Sequence, residues 1–135
     1  MAFDPSSGDV VLFGGLGDTT LADTWTWDGL TWNQQSPTTS PTARYLASMA
    51  YDQATGQLVL FGGLAGITAK SDTWVWDGSN WVELSPTTSP DARFGASMGY
   101  DPSTGQLVLY GGQSFSGPTT FDATWVWTGS DWVEQ

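Results

Sequence analysis

The sequence predicts an all-β fold built from three copies of one four-stranded unit. Three observations carry that expectation. A set of short motifs recurs three times in phase, at a spacing near the ~50 residues of known four-stranded repeats. The segments between turn signals are short and rich in β-branched and aromatic residues. No segment has helical periodicity flanked by caps.

The elements follow in order. The first strand of the unit ends in Met1-Ala2-Phe3-Asp4, which recurs as Met49-Ala50-Tyr51-Asp52 and Met98-Gly99-Tyr100-Asp101. In the second copy a turn, Gln53-Ala54-Thr55-Gly56, follows, with glycine placed for a positive φ. The second strand is Gln57 to Phe61, apolar on both faces as a strand covered on both sides must be. Its equivalents are Val10 to Phe13 and Leu107 to Tyr110. Each is closed by a glycine pair: Gly14-Gly15, Gly62-Gly63 and Gly111-Gly112. The third strand is Thr73 to Trp76, whose alternation sets Trp74 and Trp76 on one face and Thr73 and Val75 on the other. It recurs as Thr24 to Trp27 and Thr124 to Trp127. A tight turn, Asp77-Gly78-Ser79 in the second copy, leads to the fourth strand, which begins at a last aromatic: Trp32, Trp81 and Trp132.

The glycine pair after an apolar strand, then the two spaced tryptophans (Trp27 and Trp32, Trp76 and Trp81, Trp127 and Trp132), resembles the kelch motif. The likeness covers essentially the whole chain, with a turn between the last two tryptophans shorter than in most kelch repeats. The resemblance implies a β-propeller of kelch type with three four-stranded blades per chain: blade 1 over 1–35, linker 36–48, blade 2 over 49–84, linker 85–97 and blade 3 over 98–135. Propellers generally have about four to eight blades. Three blades are too few to close a ring, and two chains joined head to tail give six. The expected partner is therefore the chain itself, as a homodimer. Met1 aligns with Met49 and Met98, and Gln135 aligns with Gln35 and Leu84, so closure at a blade boundary omits one linker per chain.

Composition excludes several functions. There are 14 acidic and 3 basic residues, a net charge of −11. A nucleic-acid binder needs a basic surface to displace counterions, and an anionic membrane demands the same, so neither partner is expected. The chain has no Cys and no His, which removes thiol chemistry, disulfides, the usual general base and the commonest transition-metal ligand. Some enzymes resembling kelch propellers are copper radical oxidases, but their chemistry uses a Cys-linked Tyr and His ligands. No catalytic activity, cofactor or metal is expected. No signal peptide or membrane-length run is visible. The acidic, Thr- and Trp-rich composition suits a soluble chain and leans toward an extracellular one.

The residues open to function sit mainly in loops. The loops after the glycine pairs, Leu16 to Ala22, Leu64 to Ser71 and Gln113 to Asp122, differ in length and content. Lys70 lies in the second, and Phe115, Pro118 and Phe121 in the third. Variable loops on a rigid scaffold are where binding resides, and they also arise where nothing constrains them; both readings stand at this stage. The linkers repeat Pro-Thr-Thr-Ser-Pro and then an Ala-Arg pair, so Arg44 and Arg93 share one repeat position. Bonding to loop carbonyls or an acidic neighbour between blades is the favoured role, and an anion site at the channel mouth the alternative. Asp4, Asp52 and Asp101, like Asp28 and Asp77, fit turn caps. Tryptophans stack on sugars, but at repeated strand positions most belong between blades; an exposed fourth-strand Trp32, Trp81 or Trp132 is the exception to look for. The expected function is a non-catalytic scaffold binding a protein or peptide. The alternatives are a carbohydrate-binding module of a secreted protein, and an excised or engineered propeller fragment whose one property is assembly.

Overall fold

The computed structural model describes residues 1–116 and 119–135, so Pro118 lies outside the described residues. These residues contain no helix. Three four-stranded antiparallel sheets follow one another along the chain, none closed on itself. The first holds β1 (Ala2–Asp4), β2 (Asp9–Leu16), β3 (Thr20–Trp27) and β4 (Trp32–Gln35). The second holds β5 (Ser48–Asp52), β6 (Gln57–Phe61), β9 (Thr73–Trp76) and β10 (Trp81–Leu84), and the third β11 (Ser97–Asp101), β12 (Gln106–Tyr110), β13 (Thr124–Trp127) and β14 (Trp132–Glu134). Within each sheet the strands pair in chain order. The register repeats: Trp27 faces Trp32, Trp76 faces Trp81 and Trp127 faces Trp132 across the last hairpin.

Two expectations change. The stretch from Leu16 to Ala22 is not a loop: β2 runs on to Leu16 and β3 starts at Thr20, around a turn in which the Gly17 amide donates to the Thr19 carbonyl. A register shift between Phe13 and Gly15 re-aims the strand so that pairing resumes beyond the glycine pair. The matching segment of the second copy forms its own small hairpin, β7 (Leu64–Ala65) with β8 (Thr68–Ala69). The linkers also end one residue early, because Ser48 and Ser97 already pair with Phe61 and Tyr110.

The sheets stack face to face, with their first strands side by side, β1 against β5 and β5 against β11. Strand alternation gives each sheet two apolar faces, so the core consists of the two layers between sheets. Val11 and Phe13 of the first sheet pack on Leu58, Leu60, Trp76 and Trp81 of the second. Val59, Phe61 and Val75 of the second pack on Leu107, Leu109, Trp127 and Trp132 of the third. Strand β6 contributes to both layers, which is why Leu58 through Phe61 are all buried.

Candidate functional site

The two internal seams are nearly copies of each other. At the first, the ring of Phe13 meets Trp81 edge to face at 5.3 Å, and the Trp81 indole Nε1–H donates to the Thr24 hydroxyl at 2.9 Å. At the second, Phe61 meets Trp132 at 5.3 Å, and Trp132 Nε1–H donates to Thr73 at 3.0 Å. Both fourth-strand tryptophans are 0% exposed. Burial of an indole favours a partner for its N–H, and a threonine of the previous sheet's third strand provides it. The linkers close the outer edge: the Thr39 hydroxyl donates to the Trp81 carbonyl at 2.5 Å, and Thr88 donates likewise to Trp132.

The stack leaves one such face uncovered at each end. On the first sheet Trp32, equivalent to Trp81 and Trp132, is 43% exposed, and Leu12, Trp25 and Trp32 line a shallow concavity of about 270 Å³. On the third sheet Tyr110, equivalent to Phe13 and Phe61, is 53% exposed. It lines a second concavity, of about 390 Å³, with Met98, Gly99 and Val108. Trp81 and Trp132 are thus packed between sheets, as favoured for tryptophans at repeated strand positions, and Trp32 is the exposed exception, where no sheet packs against it.

The arginines and the glycine pairs form one device. Arg44 is 1% exposed. Its guanidinium donates to the Gly62 carbonyl at 2.9 Å, and to the Asp72 carboxylate from Nη1 at 2.5 Å and from Nη2 at 2.7 Å. Its backbone reaches back to the first sheet: the Gly15 amide donates to the Arg44 carbonyl, and the Arg44 amide to the Leu21 carbonyl. Arg93 repeats the pattern one sheet on, with Gly63 and Lys70 in place of Gly15 and Leu21 and with Nη1 bonded to the Gly111 carbonyl at 3.1 Å. This is why glycine is required. Gly62 has φ +65°, and a Cβ there would sit 2.5 Å from the Arg93 carbonyl oxygen; a Cβ on Gly14 would strike the Arg44 carbonyl. Gly63 and Gly112 back onto Ala47 and Ala96.

Asp72 is the acidic partner. Burial disfavours its charged form, but hydrogen bonds from Arg44 and from the Trp74 indole, with the Arg44 charge, outweigh it and hold the carboxyl below the usual range. The same position is Asp23 in the first sheet and Ala123 in the third. Asp23 accepts from the Trp25 indole, yet its Oδ1 is buried with no hydrogen-bond partner among the described residues. In the third sheet the Trp125 Nε1–H is buried without an acceptor, because Ala123 offers none. Phe121 lies 4.0 Å from the Arg93 guanidinium, ring to cation. Desolvation lowers the Arg93 pKa, against the opposing pull of Asp91 and Glu134.

The candidate binding residues are thus not one surface. Arg44 and Arg93, at 1% and 2% exposure, face inward and cannot form a solvent-facing anion site. Lys70 and Phe121 are half-buried at the repeat position of Leu21, and the Lys70 carbonyl holds the Arg93 amide. Phe115 is exposed and tilts against Phe94 at 5.0 Å. Phe94, Tyr110, Gly111, Gly112 and Phe121 do line a common open concavity of about 530 Å³ at the loop end of the third sheet. The carboxylates at the repeated turn positions cap those turns. Asp4, Asp52 and Asp101 accept the amides of Ser6, Ala54 and Ser103. Asp28 accepts from the Thr31 and Leu30 amides, which bring its pKa down to about 2.

No protein-family model matches this chain, and no curated protein matches it.

Proposed function

We propose that the chain is a non-catalytic half-propeller of kelch type that assembles head to tail with a second copy into a six-bladed ring. The observation that carries this reading is the complementarity of the two uncovered faces. Blade 1 offers Trp25, Trp27 and Trp32, the set by which blades 2 and 3 dock onto their predecessors. Blade 3 offers Tyr110, Val108 and Thr124, at the positions of Phe13, Val11 and Thr24. In the ring, Trp32 packs on the partner copy's Tyr110, and its indole donates to the partner's Thr124, as Trp81 does to Thr24. Exposed apolar faces of this size drive association. A head-to-tail contact must close or propagate, and six blades fall within the range that closes.

The assembled ring is a scaffold for a protein or peptide partner docking over the variable loops, with Phe115 and the concavity beside Phe121 as the contact region. The absence of His and Cys and the use of carboxylates as turn caps support a binding role over catalysis. Light scattering coupled to size exclusion tests the assembly. A monodisperse species at twice the chain mass is expected, and a stable monomer at low micromolar concentration refutes it.

A further inference from the structure

We infer that Asp23 and the Gly14 carbonyl form a receptor for an arginine side chain, carried on an extended segment of a partner protein lying along the seam between blade 3 of one copy and blade 1 of the next. The inference rests on the ring reading for its backbone half; the guanidinium half belongs to blade 1 alone. The template lies within the same chain. Wherever two sheets meet, an extended Ala-Arg segment runs between them, bonded through its backbone to the earlier sheet and through its guanidinium to the later one. In the second sheet the guanidinium acceptors are the Gly62 carbonyl and the Asp72 carboxylate.

Blade 1 holds the same acceptors, Gly14 and Asp23, each followed by the matching residues. The Asp23 carboxylate is held by the Trp25 indole as Asp72 is held by Trp74. Its remaining oxygen is buried and unpartnered. A buried carboxylate oxygen without a donor is costly, and a guanidinium relieves that cost with both charge and geometry. On the blade 3 side, the amide of Gly112, at the position of Gly15 and Gly63, has no acceptor among the described residues. A Cβ on Gly111 would meet only the Phe121 carbonyl at 3.4 Å, where its equivalents are blocked by an arginine carbonyl. The concavity beside Gly111 and Gly112 is therefore shaped like the seat that the Arg44 and Arg93 backbones occupy at the other seams. Arg44 and Arg93 lie in the linkers with their guanidinium groups already bonded to the second and third sheets, so neither arginine of this copy fills the seat.

A synthetic peptide of residues 36–48, which carries the first linker, is the probe. Its binding to the intact chain is followed by calorimetry and by the Trp25 indole resonance. The expected result is saturable binding that shifts the Trp25 indole signal and weakens about tenfold or more when the peptide carries Arg44→Ala or the chain carries Asp23→Asn, the effect of losing a hydrogen bond to a charged group. Asp23→Asn keeps an oxygen for the Trp25 indole while removing the charge that a guanidinium would pair with. Binding that ignores both the peptide arginine and Asp23, or no binding at all, overturns the inference. Mass measured in the same buffer separates it from the ring reading. A dimer indifferent to the peptide overturns the receptor and leaves the ring. A monomer overturns the ring, while Asp23-dependent binding by that monomer still supports the guanidinium half.

Discussion

Replacing Ala123 with aspartate should stabilise the protein. In the second sheet, Asp72 gives two oxygens to Arg44 and an acceptor to the Trp74 indole. In the third sheet the arginine and the indole are present as Arg93 and Trp125, but the carboxylate is not, and the Trp125 Nε1–H is buried without a partner. Relieving a buried unsatisfied donor gains roughly 1–3 kcal/mol, and a charge-assisted hydrogen bond a further ~1.5–3 kcal/mol. Desolvating the new carboxylate takes back several kcal/mol. The lowered pKa of Asp72 indicates that the bonds outweigh that cost in this setting. Phe121 stacks against the Arg93 guanidinium, whose Nη1 already bonds the Gly111 carbonyl as Arg44 Nη1 bonds that of Gly62. The net expectation is a gain of about 1–2 kcal/mol, or roughly 3–6 °C in melting temperature for a domain of this size. Urea unfolding at pH 7 measures it, with Asp72→Ala as the opposite control: it should lose about 3 kcal/mol by leaving Arg44 buried without its carboxylate. A folded Ala123→Asp variant with an unchanged or lower midpoint and an unmoved Trp125 indole resonance would refute the reasoning.

Other outcomes follow from the same device. Gly62→Ala should cost about 2–3 kcal/mol, from left-handed strain plus displacement of the Arg93 carbonyl; Gly111→Ala, whose Cβ meets only ordinary contact, should cost about 1–2 kcal/mol, and equal losses in thermal melts would contradict the close-approach argument. Because the folded pKa of Asp72 lies below its unfolded value of about 3.9, its contribution is complete above that value and is lost as pH falls through the folded pKa. Acid titration of stability should therefore be shallower in Asp72→Asn than in the parent, and parallel curves would remove Asp72 as a contributor.

Much of this architecture was legible because the middle sheet is covered on both faces and the other two repeat its pattern. Leu58 through Phe61 read as a strand without alternation, and they are buried on both sides. The repeated Asp52 and Asp77 read as turn caps, as their hydrogen bonds to the following amides bear out. Arg44 and Arg93 read as structural from their shared position, and they bridge sheets. Their acidic partner was missed although its signal was present: Asp-Thr-Trp recurs at 23–25 and 72–74 and becomes Ala-Thr-Trp at 123–125. A carboxylate beside a strand reads as solvated unless the arginine that reaches it from another sheet is already placed. The extension of β2 past the glycine pair was hidden for a related reason. Gly14 and Gly15 punctuate a strand in sequence, while the bulge that lets pairing resume with Leu21 and Thr20 depends on the facing strand β3.

The most direct test of the central claim is the solution mass of the chain at low micromolar concentration, measured for the parent and for Trp32→Ala. Trp32 lies at an uncovered end and contributes to neither internal seam, so its removal should leave the three-sheet stack folded. The account predicts a species of twice the chain mass for the parent and of one chain mass for the folded variant. A parent that is monomeric, or a dimer that survives Trp32→Ala unchanged, would contradict it.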